Sequence, residues 1–75
     1  MPRLPVVSGS DFARAVCQLG YKLDHTTGSH MILLNPSGHR LSVPGHKELD
    51  RGLLRKLIAD VGISRDAFID LLKRR

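Results

Sequence analysis

Residues 21–43, YKLDHTTGSHMILLNPSGHRLSV, determine the architecture of this 75-residue chain, because they contain three short extended runs. The runs at 21–25 and 40–43 alternate apolar and polar residues, whereas the run at 30–35 is mostly apolar, as suits a central strand. The turn-forming sequences TTGS and PSG separate these runs. Since turns this short join antiparallel neighbours, the sequence predicts a three-stranded antiparallel meander.

Helical patterns lie on both sides of the predicted strands. The first helix is predicted at about residues 10–19, capped by Ser8 or Ser10 and ended by Gly20. Its apolar stripe contains Phe12, Ala15, Val16 and Leu19. The second helix is closed by Gly62, and its apolar face contains Leu53, Leu54, Leu57, Ile58 and Val61. Ser64 can cap a short final helix, whose stripe contains Phe68, Leu71 and Leu72, with Ile69 beside it.

The order helix, three strands, helix, short helix predicts a two-layer α+β fold. Helices one and two would cover one face of the sheet, towards which Leu41 and Val43 point. Tyr21 and Leu23 share one face of the first strand by strict alternation. The other face of the sheet would stay open, and its residues would include Lys22, Asp24, Arg40 and Ser42. A chain of this length has room for one small domain, so we interpret residues 1–75 as a single unit.

Charge and cysteine content limit the classes of protein to which this sequence can belong. Twelve Lys and Arg against seven Asp and Glu give a net charge of +5 at pH 7. This excess favours a polyanionic partner, namely nucleic acid, an anionic membrane or an acidic protein. The single cysteine, Cys17, excludes an internal disulfide, indicates the reducing cytoplasm and is interpreted as a packing residue of the first helix. No apolar run approaches the roughly 20 residues of a membrane span.

Four histidines are many for a chain of this length, and they are His25, His30, His39 and His46. Their spacings match no compact zinc motif, so exposed loop or strand-end positions are the simpler interpretation. The sequence also contains no phosphate-binding P-loop, no nucleophile elbow and no dinucleotide fingerprint. Its three aromatic residues are too few for bases to be read by stacking on a sheet.

His30 differs from the other histidines because it follows Gly28 and Ser29 and opens the predicted central strand. The missing side chain of Gly28 would let a substrate backbone come close to it. Both faces of this strand are apolar, so alternation leaves open which face His30 occupies. Taken alone, His30 is more simply interpreted as a polar residue at a strand end than as a catalytic group.

Basic side chains flank the same region, and they are Lys22, Arg40, Lys47, Arg51 and Arg55. The last three recur at helical spacing, near the positive N-terminal end of the second helix. Their charge and position favour contacts with phosphate groups. An ordinary solvated helix face, with nearby carboxylates diluting its charge, is the alternative interpretation.

A set of short motifs runs through most of the chain, from about residue 5 to residue 72. They are Ser8-Gly9-Ser10, Leu19-Gly20-Tyr21, Gly28-Ser29-His30, Val43-Pro44, His46, Lys47-Glu48-Leu49 and Gly52-x-Leu54-Arg55-x-x-Ile58. In their order, their spacing and the length of the chain, these motifs resemble the HicA family of bacterial toxins. HicA toxins are small mRNA interferases that are paired with HicB-type antitoxins.

The resemblance implies a double-stranded-RNA-binding-like α-β-β-β-α fold, which agrees with the predicted order of elements. It also implies an endoribonuclease that cleaves mRNA, arrests translation and is neutralised by a HicB-type antitoxin. The 2′-hydroxyl of RNA can attack the neighbouring phosphorus once a base removes its proton, so we expect an imidazole to suffice without a metal ion or another cofactor. The histidine of the Gly-Ser-His motif, here His30, is the catalytic residue that the resemblance implies. The residues assigned to RNA binding are Lys22, Ser29, Arg40, Lys47, Arg51 and Arg55.

Two positions depart from the family's pattern. Leu53 stands where the family usually has the threonine of a Gly-Thr-Leu motif, so a hydroxyl is lost at the second helix. Met31 follows His30 where many members carry a polar or aromatic residue, which leaves His30 with fewer obvious helpers. His46 is a candidate for the second acid–base group only if the fold brings it close to His30.

Two functions of other classes fit the same charge. A non-catalytic RNA-binding module would use His30 for structure or for phosphate contact, and the appearance of RNA fragments would distinguish a nuclease from it. A protein-interaction domain would use its basic surface for an acidic partner alone. RNA binding with a steep salt dependence would count against that third interpretation.

Overall fold

The computed structural model describes residues 4–74, and the predicted order of one helix, three strands and two helices is confirmed. The elements are α1 (Gly9–Cys17), β1 (Lys22–Thr27), β2 (His30–Leu34), β3 (Arg40–Pro44), α2 (Arg51–Val61) and α3 (Arg65–Lys73). The fold is α+β, and the sheet has the strand order β1-β2-β3 with both pairs antiparallel. This is the double-stranded-RNA-binding-like arrangement with an added C-terminal helix. No helix within residues 4–74 is long and apolar enough to cross a membrane.

Each helix begins at a side chain that accepts hydrogen bonds from its first turn. The hydroxyl oxygens of Ser8 and Ser64 each accept a backbone N–H at 3.0 Å, which makes Ser8, rather than Ser10, the cap of α1. The cap of α2 is the carboxylate of Asp50, which the sequence patterns did not single out. These bonds satisfy N–H groups that have no partner inside the helix.

α1 ends at Cys17, two residues before Leu19, the last residue of the predicted helix. Beyond Cys17 the N–H groups of Gln18, Leu19 and Gly20 donate to carbonyl oxygens three residues back, so the chain tightens out of the α-helical register. Leu19 consequently leaves the apolar stripe and is 41% exposed. Cys17 is exposed as well, so its interpretation as a packing residue is wrong.

One face of the sheet is packed against the helices. On this face Met31 and Leu33 of β2 lie opposite Val43 and Leu41 of β3. All four either belong to the apolar core or pack against it, and the predicted inward direction of Leu41 and Val43 is confirmed. Because successive side chains of a strand point to opposite faces, the residues between them face away from the core.

The helices cover the sheet from its β3 edge. α1 and α2 both pack against β3, as predicted, and α3 packs on α1. The contact between these two helices includes Phe12 and Phe68, which are both fully buried with ring centroids 5.3 Å apart. β1 forms the opposite edge and all its residues are exposed. Leu23, paired with core residue Leu33, is therefore 56% exposed although it faces the covered side.

Tyr21 anchors the start of β1 to the core. The residue is buried, and its ring meets the ring of His39 edge-on with 6.1 Å between the centroids. Burial raises the pKa of the Tyr21 phenol above its usual 10.0, and the negative charge of Asp60 adds to the rise. A hydrogen bond to the Asn35 side chain acts in the opposite direction. The phenol therefore stays neutral at physiological pH.

Candidate functional site

The face of the sheet turned away from the helices carries its residues in three rows. Strand pairing places Lys22, Leu34 and Arg40 in the first row, His25, Ile32 and Ser42 in the second, and Thr27, His30 and Pro44 in the third. These residues are called the outer face below. Pro44 is buried, Ile32 and Leu34 are half-buried, and the others are exposed. This side of the sheet is thus open to a large ligand.

His30 is exposed at the end of the outer face where β2 begins. Only Gly28 and Ser29 separate it from Thr27, its partner on β1. Gly28 has a φ of 58°, and Ser29 does not have a positive φ, because no non-glycine residue within residues 4–74 does. A positive φ at the first of two turn residues is the pattern of a type II′ hairpin turn. Nothing lies within 4 Å of the position that a Cβ on Gly28 would take. The approach to His30 across this turn is therefore open.

β1 contains a bulge that changes which of its residues face outwards. Its pairing with β2 is regular at Lys22 and Leu23, skips Asp24 and resumes at His25. The shift places His25 on the outer face, opposite Ile32, where uninterrupted alternation would have placed it on the covered side. Asp24 is exposed as predicted, and its Oδ2 lies 2.6 Å from the Nδ1 of His25.

Lys22 and Arg40 occupy the row farthest from His30, one on each side of Leu34. Both are exposed, as the open face predicts. Their row lies about 14 Å along β2 from the row of His30, at the usual rise of roughly 3.4 Å per residue. Lys22 and Arg40 are therefore well separated from His30 along the outer face.

Residues 45–50 lead from the His30 end of the sheet to α2. The Gly45 N–H donates to the Ser29 carbonyl oxygen at 2.6 Å, so this connection starts against the β1–β2 turn. Ser29 and Lys47, both assigned to RNA binding by the sequence, are exposed at this end of the molecule. Ser29 thus adjoins His30 at the β1–β2 turn, whereas the residues on both sides of Lys47 are bonded to the segment that leads into α1.

The N terminus of α1 supports the same connection. The Gly9 N–H donates to the His46 carbonyl oxygen at 2.9 Å. A Cβ on Gly9 would overlap the carbonyl oxygen of Pro44, the residue that pairs with His30 on β3. A side chain at position 9 would therefore push α1 away from the end of β3. This close approach explains why a glycine directly follows the Ser8 cap.

The predicted cations of α2 lie in the helical layer. The residues that line a surface pocket there are Leu4, Arg51, Arg55 and Arg65, and the three arginines, called the arginine cluster below, are exposed. Arg65 belongs to α3 and had no signal in the sequence, because only the packing of α3 beside α2 brings it to Arg55. The predicted cations therefore do not form one patch, since Lys22 and Arg40 lie on the outer face.

A carboxylate already occupies the N terminus of α2. The Oδ2 of Asp50 accepts the N–H of Gly52 at 3.0 Å and the N–H of Leu53 at 3.4 Å. The positive end of this helix, which the sequence favours as a phosphate site, therefore has two of its free amides satisfied and a negative charge beside them. The exposed side chains of Arg51 and Arg55, rather than the helix terminus, remain as anion-binding groups in α2.

Both departures from the family's pattern pack towards the core. Met31 lies on the covered side of β2 and is paired with Val43, so its side chain points away from the face of His30. Leu53 is half-buried and packs against the core. Met31 therefore takes no polar group away from the outer face, and Leu53 contributes packing in place of a hydroxyl.

His39 and His46 lie outside the three rows of the outer face. His39 is in the β2–β3 connection, at the opposite end of the sheet from His30. His46 is two residues beyond Pro44, the residue that pairs with His30, so it lies past the strand pairing but at the same end of the sheet as His30. Only His25 shares the outer face with His30. Within residues 4–74, no group of three or more His, Cys, Asp or Glu side chains could hold a metal ion.

Comparison with protein-family models identifies the chain. The model described as the HicA toxin of bacterial toxin–antitoxin systems matches residues 9–63, which include α1, the whole sheet and α2. The matched stretch thus contains the outer face and His30. A search of curated proteins gives no significant match. The family that the sequence motifs resemble is confirmed: the chain belongs to the HicA toxins of bacterial toxin–antitoxin systems, which are mRNA interferases neutralised by HicB.

Proposed function

We propose that this HicA toxin cleaves mRNA on the outer face of its sheet, with His30 as the catalytic residue. The observation that carries the proposal is the position of His30, which is exposed at the start of β2 with an open approach across Gly28. A histidine sealed beneath the helices would have no access to a phosphodiester. The whole chain, residues 1–75, is proposed to act as one catalytic domain in the cytoplasm.

The proposed chemistry uses groups that RNA and histidine supply. The 2′-hydroxyl loses its proton, its oxygen bonds to the adjacent phosphorus, and the bond from phosphorus to the 5′-oxygen of the next nucleotide breaks. The 5′-oxygen gains a proton, so the products are a 2′,3′-cyclic phosphate and a 5′-hydroxyl. Histidine side chains in general titrate near pH 6.5, so an imidazole can accept or donate one of these protons. These bond changes balance without a metal ion, and metal independence is part of the proposal.

Cations are proposed to bring the RNA to this face and to offset the charge of its phosphates. Lys22 and Arg40 would hold the backbone in the row farthest from His30, while Ser29 and Lys47 border the cleavage end. The arginine cluster lies beyond residues 45–50 and would bind the strand where it leaves the sheet. The net charge of +5 supports a long-range attraction for RNA as well.

The HicB-type antitoxin is proposed to cover the outer face around His30. Such a partner would exclude RNA both by its bulk and by presenting acidic groups to Lys22 and Arg40. The exposure of these residues in the free chain supports the proposal. A complex of the two proteins in which His30 stayed open to solvent would contradict it.

Cleavage of a defined RNA by purified protein tests the proposed activity. The comparison is between wild type, His30→Ala and the matched control His39→Ala, since His39 is an exposed histidine at the opposite end of the sheet. We expect His30→Ala to slow cleavage about 10²–10⁴-fold, the usual effect of removing a general acid or base, and His39→Ala to cut as wild type does. EDTA should leave the wild-type rate unchanged.

Each other outcome removes a particular part of the proposal. Undiminished cutting by His30→Ala would exclude His30 from the mechanism. Salt-sensitive RNA binding without fragments from the wild type would make the chain a non-catalytic RNA-binding module. Loss of cutting in EDTA, restored by a divalent cation, would disprove metal independence.

A further inference from the structure

We propose that His25 is the second acid–base residue of this cleavage reaction and that Asp24 positions it. The inference rests on the proposed function, in which His30 handles one proton. The reaction moves two protons, one from the 2′-hydroxyl and one to the 5′-oxygen, and one imidazole cannot do both in a single step. The outer face offers one further imidazole, that of His25.

The bulge in β1 creates the pair of Asp24 and His25. Consecutive side chains of a regular strand point to opposite faces and cannot bond to each other. Here Asp24 Oδ2 and His25 Nδ1 are 2.6 Å apart, so the extra residue in β1 has brought both side chains to one side. The pairing of His25 with Ile32 shows that this side is the outer face. A bulge thus converts a sequence neighbour into a side-chain partner.

His25 and His30 are diagonal neighbours on this face. His25 lies opposite Ile32 and His30 lies opposite Thr27, with regular pairing from His25 to the end of β1. Diagonal positions of an antiparallel pair are roughly 7–8 Å apart and within reach of ring side chains. Both residues are exposed. A phosphodiester bound over these two positions would present its 2′-oxygen to one ring and its 5′-oxygen to the other.

The bond to Asp24 determines which proton His25 handles. A carboxylate only accepts hydrogen bonds, so Nδ1 of His25 must be the donor. In neutral His25 the other ring nitrogen, Nε2, is then unprotonated and can accept the 2′-hydroxyl proton, as a base held by a carboxylate does in hydrolase triads. The imidazolium that forms is stabilised by Asp24. His30 correspondingly donates the proton that the 5′-oxygen gains, and the bond changes are those given for the proposed function.

The test compares ordinary RNA with RNA in which sulfur replaces the bridging 5′-oxygen at the cleavage site. A thiolate leaves without being protonated, because thiols have a pKa of only about 8.5. Removing the group that protonates the leaving atom should therefore leave the cleavage rate of the sulfur substrate unchanged. Removing the base should lower the cleavage rate of both substrates. We expect His25→Ala to slow the cleavage of both substrates by about 10²–10⁴-fold. His30→Ala should slow the cleavage of the oxygen substrate by a similar factor and leave the cleavage of the sulfur substrate unchanged.

The possible results separate this inference from the proposed function. Wild-type cutting by His25→Ala, with His30→Ala inactive on ordinary RNA, would overturn the inference alone. Rescue of His25→Ala by sulfur would overturn the assignment of roles. Wild-type cutting of ordinary RNA by His30→Ala would overturn the proposed function itself. Both variants are expected to unfold at the same temperature as wild type, since both side chains are exposed.

Asp24→Asn tests the positioning role through its coupling to His25→Ala in a double-mutant comparison. If Asp24 acts through its bond to His25 Nδ1, Asp24→Asn should slow cleavage by wild type but cause no further loss when His25 is already alanine. Asp24→Glu, which keeps a carboxylate, should restore part of the lost rate. An equal loss from Asp24→Asn in both backgrounds would show that Asp24 does not act through His25.

Discussion

The five residues of β2 are divided between the two faces of the strand, and the two faces differ in their surroundings. Met31 and Leu33 point to the helices and are enclosed with the core, whereas His30, Ile32 and Leu34 point outwards. Neighbouring atoms fix the inner side chains, while an external ligand can reach the outer ones. We therefore expect the inner face of β2 to determine stability and its outer face to determine activity. Substitutions on the inner face should lower the free energy of unfolding. Substitutions on the outer face should slow RNA cleavage and leave the free energy of unfolding unchanged.

The largest expected effect is on the covered side. Phe12→Ala removes a fully buried ring that packs 5.3 Å from the ring of Phe68, and the resulting cavity should lower the free energy of unfolding by about 3–5 kcal/mol. The matched outer-face change, His30→Ala, should alter it by less than about 0.5 kcal/mol. Urea unfolding followed by circular dichroism measures both. Equal losses in the two variants would show that the faces are not energetically separate.

Gly9→Ala should affect both faces, because Gly9 touches the strand residue that pairs with His30. The added Cβ meets the Pro44 carbonyl oxygen, which is backbone and cannot swing aside, so we expect a loss of about 1–3 kcal/mol in stability. The displaced end of β3 should slow RNA cleavage too. Ser10→Ala, at the exposed neighbouring position, is the control. Wild-type stability and cleavage in Gly9→Ala would disprove the close approach.

Changes at Lys22 and Arg40 should weaken RNA binding without touching the core. Removing one cation that neutralises a phosphate should reduce the slope of log affinity against log salt by about 0.7, the usual value for single strands. Fluorescence titration of labelled RNA at several salt concentrations compares wild type, Lys22→Gln and Arg40→Gln. Lys73→Gln, on α3, is the control. An unchanged slope in both outer-face variants would place the RNA elsewhere.

The smallest effect concerns Tyr21, whose burial raises the pKa of its phenol. The unfolded chain ionises this group near pH 10.0, whereas the folded chain keeps the proton to higher pH. The associated stability is present below pH 10 and is lost as pH rises through the folded pKa. Urea unfolding at pH 9 and pH 11 should therefore show a steeper loss in wild type than in Tyr21→Phe. Equal losses would mean that the phenol titrates normally.

Much of the fold follows from local patterns in the sequence. The alternation at Leu41 and Val43 and the hydroxyls of Ser8 and Ser64 each report a local preference, and the structure confirms them. The end of α1 does not follow from its stripe, because Leu19 continues the helical spacing while the backbone leaves it. Periodicity records where a helix would bury side chains, and the backbone bonds decide where it stops.

The candidate site is less visible in the sequence. The motif around His30 drew attention through its resemblance to a family, but its face was undecided until the register with β3 was known. The bulge at Asp24 depends on strand pairing, so alternation alone could not place His25 on that face. Arg65 joins the arginine cluster only through the packing of α3. Residues brought together by pairing or packing leave no spacing signal along the chain.

We expect the toxicity of this chain to depend on the exposed imidazole of His30. Induced expression of wild type, His30→Ala and His39→Ala in bacterial cells, with growth and mRNA integrity followed together at equal protein levels, measures this. Wild type and His39→Ala should stop growth and fragment transcripts, whereas His30→Ala should leave both intact. Growth arrest with fragmented transcripts in cells that express His30→Ala would show that neither toxicity nor cleavage depends on His30.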